Sequence, residues 1–542
     1  MTTTPIVLKS LPGIKRDGTK YEGDFYVDGQ WVRFQRGLPR KMWGYRAINK
    51  YLTQISRAFH NFVQQQTIYC HSGSADYVER FTLDSAGNSS VISNRTPASG
   101  FTPNDNNTWM FDVMYDSSST SNNLIAFVTP NLQCICSDNQ GAIFVGDLLG
   151  TAPLTPVTLP AGILVNGGIV VLHPYLFYYG TAGIVGWSVA GDPTDLTGSG
   201  SGTARVAGQK IVKGLSLRAG SGSAPAGLFW AYDSLIRCTF TGGASVFQFD
   251  TISDGITVMS PNGIIEYDGI YYWAGVDRFY MFNGVVRELP NPLNFNWFFD
   301  GVNRNYLMKV FCVKVPHFGE IWWCYPRGDA TECTHAIVYN VRENTWYDTE
   351  LPNFGRTSGQ FCPAYDGPIM CGLTTNAQSD IRITEDGDVR ITQDGDTRIT
   401  YDNNGYKVWR HEIGVDEIDG NNIFPIQSYF ELADMSLLAN PQGAQNKSIR
   451  IDLIEPDFVQ AGDMTVQVTG RANARAKEVT GEPKVFTDSA ATAPEQVVYF
   501  KDIRRELRFR FESNAVGGDY QMGQIIAHVE PADGTVLGGV SS

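Results

Sequence analysis

Between residues 51 and 375 the chain consists of short strand-like segments, with a turn signal about every 8–12 residues. The clearest unit is IIEYDGIYYWAGVDRFYMFNGVVREL, residues 264–289. An Asp-Gly pair, a Gly-Val-Asp segment and an Asn-Gly pair divide it into four runs of mainly aromatic and β-branched residues. Because such pairs favour tight hairpin turns, the unit predicts four antiparallel strands in a meander, which is the makeup of one β-propeller blade.

Similar strand–turn–strand segments recur before and after this unit: residues 61–83, 122–148, 167–189, 225–252, 319–329, 335–352 and 359–374. Aromatic residues make up 12% of the chain, and 56 glycines supply turn positions. Roughly six or seven units of about 40–50 residues fit this region. The sequence therefore predicts an all-β protein with a β-propeller at residues 51–375, and a stacked array of sandwiches is the alternative.

Residues 1–50 predict a small strand module in front of the propeller. The pair Asp28-Gly29 predicts a hairpin turn. The segment Trp31–Arg36 alternates in polarity and predicts the second strand of that hairpin, which Pro39 ends.

Residues 403–542 predict a separate domain, an antiparallel β-sandwich-like platform. Its most regular segment is KDIRRELRFRFE, residues 501–512, which predicts one amphipathic strand. The predicted core face of this strand consists of Ile503, Leu507, Phe509 and Phe511. The opposite side includes a candidate basic face, Arg504, Arg508 and Arg510. Such a face could bind DNA phosphates, although arginines in this pattern more often face solvent or a neighbouring subunit.

The stretch RITEDGDVRITQDGDTRIT, residues 382–400, repeats an eight-residue unit. It predicts a three-stranded β-ribbon at residues 376–402, in which three-residue loops separate an apolar face from a polar one. In this register Val389 lies opposite both Ile383 and Ile399. The ribbon is a candidate subunit contact, formed by Arg382, Ile383, Val389, Arg390, Ile391, Arg398 and Ile399. A short solenoid and calcium binding are alternatives, although the spacing lacks the loop of an EF-hand.

The chain has a formal net charge of −14, from 42 basic and 56 acidic residues. A dedicated nucleic-acid binder usually has the opposite balance, because its affinity comes from phosphate neutralisation. An acidic wall would let DNA pass without sticking, and ordinary solubility accounts for the charge as well. The nine cysteines contain no C-x-x-C pair, which predicts buried, reduced thiols and folding in a reducing compartment. Neither a signal peptide nor a membrane-spanning segment is predicted.

The sequence predicts no catalytic, cofactor-binding or metal site. The seven histidines form no H-E-x-x-H motif. Neither Gly-x-Ser-x-Gly nor the Ser-x-Asp-x-Gly-x-x-Trp box of sialidase-like propellers occurs. Catalytic residues on propeller loops need not form a local motif, so a propeller glycosidase acting on a host surface stays an alternative.

Three stretches resemble the tail hub or nozzle proteins of short-tailed bacteriophages, a family also described as packaged-DNA stabilisation proteins. The first is LPGIKRDGTKYEGDFYVDGQWVRFQRGLPRKMWGYR, residues 11–46, with its Pro-Gly-Ile and Val-Arg-Phe-x-x-Gly-x-Pro segments. The second comprises residues 246–284 and residues 338–352. The third is the arginine-rich segment FKDIRRELRFRFES, residues 500–513.

The resemblance implies a structural virion protein that is assembled in the host cytoplasm. It implies a ring, commonly a homohexamer, below the portal and adaptor rings of the phage tail. Such a ring extends the channel, retains the packaged DNA, conducts it during ejection and carries tip or fibre proteins. It also implies no enzymatic activity and no cofactor, and it transfers no site residue. A host-glycan-binding tail fibre or adhesin is the main alternative.

Overall fold

The computed structural model of the chain describes residues 4–20, 24–100, 104, 109–117, 132–137, 140–217, 224–243, 245–381, 399–437, 447–473, 475–487 and 498–532. These residues form sheets almost exclusively. The predicted all-β architecture, a propeller with N-terminal strands and a C-terminal sandwich-like platform, is confirmed. The helices are short: α1 (Phe295–Phe299) and the 3-10 turns Thr181–Gly183, Pro261–Gly263 and Arg304–Lys309.

The chain begins with strands that are shared between the propeller and the platform. They are β1 (Thr4–Leu8), β2 (Leu11–Ile14), β3 (Phe25–Tyr26), β4 (Asp28–Gln30), β5 (Val32–Gln35), β6 (Leu38–Lys41) and β7 (Tyr45–Leu52). Strands β1, β5 and β6 join one sheet of the platform, β4 joins the other, and β7 joins the propeller. The N-terminal segment is therefore an integral part of both.

The predicted turn at Asp28-Gly29 is wrong, because both residues lie within β4. A Cβ atom on Gly29 would lie only 2.8 Å from Ile14 Cδ1, so the glycine permits close packing there. The turn falls instead at Arg36-Gly37, where φ is 56° and 76°. Pro39 does not end the strand pair but lies inside β6, opposite Phe34.

Six consecutive four-stranded antiparallel sheets form the first six propeller blades. Their strands are β8 (Ala58–Gln64), β9 (Thr67–Gly73), β10 (Val78–Leu83), β11 (Ser93–Asn94), β12 (Met110–Tyr115), β13 (Leu132–Ser137), β14 (Ile143–Asp147), β15 (Thr155–Pro156), β16 (Gly168–Leu172), β17 (Tyr175–Tyr179), β18 (Ile184–Trp187), β19 (Gly202–Arg205), β20 (Ile211–Ser216), β21 (Ala226–Ala231), β22 (Ser234–Phe240), β23 (Phe247–Asp254), β24 (Ile264–Tyr267), β25 (Ile270–Ala274), β26 (Phe279–Phe282), β27 (Val286–Leu289), β28 (Phe311–Val315), β29 (Glu320–Tyr325), β30 (His335–Asn340) and β31 (Thr345–Glu350). The predicted four-stranded unit at residues 264–289 is confirmed as the fifth blade.

The seventh blade is closed by a strand from the beginning of the chain. It contains β32 (Arg356–Cys362), β33 (Gly367–Ile381), β34 (Ile399–His411), then β7, and finally β35 (Glu417–Asp419) and β36 (Asn422–Phe424). Strand β7 is antiparallel to β34. The propeller thus extends beyond the predicted limits of residues 51–375, because a blade that joins distant segments leaves no local sequence signal.

Strands β33 and β34 continue past the body of the seventh blade as a long hairpin. Ile381 pairs directly with Ile399 at its described end. This pairing differs from the predicted meander, which places the segment around Val389 beside Ile399. The two strands are already neighbours in the blade, so their extensions stay adjacent. Residues 382–398, with the repeat itself and the predicted contact residues there, lie outside the described residues.

The platform is a sandwich of two sheets. It adds β37 (Ser428–Glu431), β38 (Met435–Ser436), β39 (Ser448–Ala461), β40 (Met464–Arg471), β41 (Val479–Thr480), β42 (Lys484–Phe486), β43 (Val498–Arg504), β44 (Glu506–Ser513) and β45 (Asp519–Ala532). The first sheet has the order β43-β39-β45-β6-β5, with β1 paired to β45. The second has the order β4-β37-β44-β40-β41, with β38 and β42 at its sides.

The single strand predicted at residues 501–512 is wrong, because the chain changes sheets at Arg505. Arg505 is the one residue that breaks the apolar alternation. Beyond it Leu507, Phe509 and Phe511 are fully buried, as predicted. Before it, Ile503 belongs to the other sheet and is 39% exposed, which corrects its predicted place in the core.

One continuous hydrophobic core joins the platform to the sixth and seventh blades. It contains Trp31 and Phe34 of the N-terminal segment, Trp322 of blade six and Trp409 of blade seven. Arg33 is fully buried at this junction and pairs with two carboxylates of the propeller. The propeller and platform are therefore packed as one body in this region.

Candidate functional site

The seven innermost strands β8, β12, β16, β20, β24, β28 and β32 surround a cavity on the propeller axis. Its volume is about 740 Å³. Small-molecule sites typically measure about 300–1,000 Å³. Every blade contributes to the wall, and polar side chains project from several of them. We call this space the central cavity.

Lys213 of blade four is one of two lysines that line the central cavity; the other is Lys314. The register of β20 shifts between Ile211 and Lys213, and such a bulge re-aims the side chain that follows it. Lys213 interacts electrostatically with Asp112 of blade two, Cys312 of blade six and His60 of blade one. Burial lowers the pKa of Lys213. The ammonium group of Lys213 is thus within electrostatic range of side chains from three other blades.

The Asp112 carboxylate is oriented by two backbone N–H groups. Its Oδ2 accepts a hydrogen bond from the Val171 N–H at 2.8 Å, and its Oδ1 accepts one from the Val113 N–H at 2.8 Å. Burial raises the pKa of Asp112 to about 6, against these two hydrogen bonds and the charge of Lys213. The carboxylate is held in place and charged above that pH.

Two further polar contacts tie neighbouring blades together along the cavity wall. The Lys314 Nζ lies 3.2 Å from Glu266 Oε2 and donates to the Glu266 carbonyl at 2.8 Å. Glu266 Oε1 accepts from the Gly269 N–H at 2.8 Å. On the other side, Gln360 Oε1 accepts from the Asn61 N–H at 2.6 Å.

Behind the wall, His71 is fully buried between aromatic rings. Its ring lies 6.0 Å from that of Phe111 and 6.4 Å from that of His60. Neither ring nitrogen of His71 has a hydrogen-bond partner among the described residues. Burial lowers the pKa of His71 well below its ordinary value and lowers the pKa of His60 to about 4. Both rings are therefore neutral in the folded protein.

We expect His71→Phe to stabilise the protein progressively as the pH falls. The unfolded histidine takes up a proton below about pH 6.5, whereas the folded one does not, so the wild type loses stability below that pH. The substitution removes this loss. Denaturant unfolding should show the variant gaining about 2 kcal/mol, relative to wild type, between pH 7 and pH 5.

The control for this experiment is Ile68→Val, a non-titrating change of a fully buried side chain in the same sheet. Its destabilisation should be equal at the two pH values. A difference between His71→Phe and wild type that does not vary with pH would contradict a neutral buried His71.

The candidate basic face is not assembled as predicted. Arg508 is only 2% exposed, and its guanidinium contacts Glu431 and Asp434 at 3.2 Å and Glu478 at 2.6 Å. Arg510 and Arg504 are half-buried; they pair with Glu512 at 3.1 Å and Asp502 at 3.3 Å respectively. The alternation of the strand placed Arg508 outside, but carboxylates from neighbouring segments enclose it. The face therefore offers phosphates no cluster of unpaired cations.

The sequence did not single out the residues of the central cavity, because each lies on a different strand and none belongs to a local motif. Among the described residues no group of three or more His, Cys, Asp and Glu side chains is placed to hold a metal ion. The cysteines whose side chains are described are buried, as predicted, and form no disulfide with one another. In the same part of the chain, no helix has the length and apolarity needed to cross a bilayer.

No family model matches the chain, and no curated protein matches it. Similar solved structures include the β-propeller domain of Myceliophteria thermophila Cps50 (Swd1), at 9% identity and a TM-score of 0.38, covering 62% of this chain and 96% of that one. The WD40 β-propeller domain of Doa1 matches at 14% identity and a TM-score of 0.36, covering 60% and 93%. The propeller assignment rests on the sheet topology of the chain itself.

Proposed function

We propose that this chain is a structural protein of a short-tailed bacteriophage and that six copies form its tail hub or nozzle ring. The ring would extend the portal channel, retain the packaged DNA and conduct it during ejection. Its partners would be the portal or adaptor ring on one side and fibre or tip proteins on the other. The proposed role needs no catalysis. Its first support is the resemblance of residues 11–46, 246–284, 338–352 and 500–513 to that family.

The observation that carries the proposal is the continuous core between propeller and platform. Residues 11–46 supply strands to both sheets of the platform, and the next strand, β7, closes the propeller. Each of the three resembling stretches contributes side chains to this core, the second through residues 338–352. A subunit that must keep its shape under load in a ring requires such a junction, since small polar interfaces between domains permit relative motion.

The size of the central cavity supports a DNA path outside the individual subunit. A cavity of about 740 Å³ has the volume of a small-ligand site. A double helix would therefore pass between subunits, along the axis of the ring. The net charge of −14 and the enclosed Arg508 favour weak, transient contacts with phosphates.

Negative-stain images of the purified protein test this proposal. Six-fold rings with an axial hole are the expected result, in the protein alone or together with its portal or adaptor ring. A monomer that stays monomeric with those partners and binds a glycan array would contradict the ring and favour the adhesin. Release of saccharide from host-surface material would favour the glycosidase.

Deleting residues 382–398 should abolish ring assembly and leave the propeller folded. Ile381 and Ile399 are paired neighbours, so an Asn-Gly turn can join them without strain. Circular dichroism and the melting temperature should match those of the wild type, while images should show isolated subunits. Normal rings from the deletion variant would contradict a contact role for the ribbon.

The matched control keeps the ribbon and removes two of the carboxylate charges that a calcium ion would need. Asp386→Asn together with Asp394→Asn retains residues that suit the turns. Rings should form normally, with or without a chelator. If the double variant fails to assemble and the chelator also abolishes wild-type rings, the ribbon is a calcium site rather than a simple contact.

A further inference from the structure

The polar groups of the central cavity are divided unequally between donors and acceptors. Its acceptors are already occupied by the protein: each oxygen of Asp112 accepts a backbone N–H, and each oxygen of Glu266 accepts from Gly269 or Lys314. The Oε1 of Gln360 accepts from Asn61. The cavity therefore offers few unsatisfied acceptors to a guest.

Lys314 donates to Glu266, but two other donors of the cavity wall are in the opposite state. Within the described residues, the Lys213 ammonium has no hydrogen-bond partner, although it lines the cavity. Gln360 must direct its oxygen at the Asn61 N–H, because only the oxygen can accept, and this fixes its NH₂ group on the other side. No described residue accepts from that NH₂ group. A cation and an amide donor are thus both left available.

The two donors approach the cavity from opposite walls. Lys213 belongs to blade four and Gln360 to blade seven, and in a ring of seven blades these lie across the axis from each other. Beside Gln360, blade one contributes the ring of His60, which is neutral. A guest with acceptor atoms at both ends would satisfy both donors at once.

We propose that the central cavity binds a small organic or inorganic anion, through its carboxylate or phosphate oxygens, with Lys213 and Gln360 as the binding groups. Asp112 limits the affinity, because its charge opposes an anion. The site lies within one subunit. It is independent of the ring, so either proposal can fail without the other.

Isothermal titration and thermal unfolding of the full chain, with sodium phosphate and with sodium citrate, test the site. Sodium chloride at equal ionic strength is the reference. At least one of the two anions should give saturable binding and a rise in the melting temperature. Saturation by phosphate alone would identify a phosphate site, and saturation by citrate alone a carboxylate site. If neither anion shows saturable binding beyond the chloride reference, the proposal is wrong.

Two variants locate the binding. Lys213→Met should weaken it at least about tenfold, whereas Lys213→Arg should retain most of it. Gln360→Glu is the sharper change, because it keeps the acceptor for Asn61 and replaces the NH₂ donor by a second oxygen. It should also weaken binding about tenfold or more. It carries the test alone if the methionine variant does not fold.

The matched control is Lys477→Met, which removes a solvent-exposed lysine of the platform. It lowers the net charge by the same amount as Lys213→Met and should leave anion binding unchanged. Equal losses in the two methionine variants would show a general charge effect and overturn the site. Unchanged binding in Gln360→Glu together with Lys213→Met would overturn it as well.

Discussion

Replacing Arg33 by alanine is expected to lower the free energy of unfolding by roughly 3–5 kcal/mol. Arg33 is 0% exposed, and its guanidinium lies between two carboxylates. Its Nε lies 2.9 Å from Glu320 Oε1, and its Nη2 lies 2.7 Å from Glu412 Oε1. Removing the cation leaves both carboxylates buried without their counter-charge. Removing one member of a buried ion pair costs far more stability than replacing the whole pair by apolar side chains of similar size.

The surroundings show why the two carboxylates cannot escape to water. Glu320 also accepts from the Tyr347 hydroxyl at 2.7 Å and the Trp322 indole N–H at 2.8 Å. The guanidinium carbon of Arg33 lies 3.7 Å from the centre of the Phe318 ring. Burial raises the pKa of Glu412, and the charge of Arg33 opposes that rise. Without Arg33, Glu412 would lose its buried negative charge by taking up a proton.

Denaturant unfolding of the wild type and three variants measures the effect. Arg278→Ala breaks an exposed pair with Asp277 and should cost far less than Arg33→Ala, because solvent screens exposed ion pairs. Adding Glu412→Gln to Arg33→Ala should recover part of the loss, because one orphaned charge disappears. A cost for Arg33→Ala no greater than that for Arg278→Ala would show that the junction of propeller and platform contributes little to stability.

Some turns of the fold could be predicted, because their backbone conformation depends only on residues adjacent in the sequence. The turns of the fifth blade fall where the sequence indicates, since Gly269 and Gly284 adopt φ of 79° and 107° and only glycine does so readily. Gly29 carries the same Asp-Gly signal but serves close packing against Ile14. A dipeptide does not distinguish these two uses, because the neighbour that requires the glycine lies elsewhere in the chain.

The change of sheet at Arg505 and the closure of the propeller by β7 could not be predicted for a related reason. Both depend on which strand lies alongside, and strand patterns indicate faces but not partners. The same holds for Arg508: alternation put it outside, but Glu431 and Glu478 come from other strands or loops to enclose it. The central cavity is the extreme case, since its groups come from every blade.

Closure by β7 leads to the other large expected effect. Ile48 and Leu52 of this strand are buried between the seventh blade and the first, where they pack in one cluster with Val408 and Phe59. Leu52 is 0% exposed. Strand β7 therefore both completes a sheet, through its pairing with β34, and fills the contact between the blades that meet at the closure. Among the described residues, no other strand or chain connection joins the seventh blade of the propeller to the first.

Leu52→Asp is accordingly expected to cost more than about 4 kcal/mol, because it removes apolar burial and places an unpaired carboxylate in the core. A loss of that size consumes much of the stability of an ordinary domain, about 5–15 kcal/mol. The matched control is Arg46→Asp on the same strand. Arg46 is exposed and faces the like charge of Arg410, so its replacement should be neutral within about 0.5 kcal/mol or stabilising.

Limited proteolysis separates local from global consequences. If closure stabilises the whole propeller, Leu52→Asp should open cleavage sites in the first and seventh blades together, and unfolding should stay a single transition at a lower denaturant concentration. If only β7 detaches, cleavage should be confined to residues 45–52 and the midpoint should barely move. The second outcome would mean that the propeller stays folded without its closing strand. In that case β7 would serve mainly to anchor the platform.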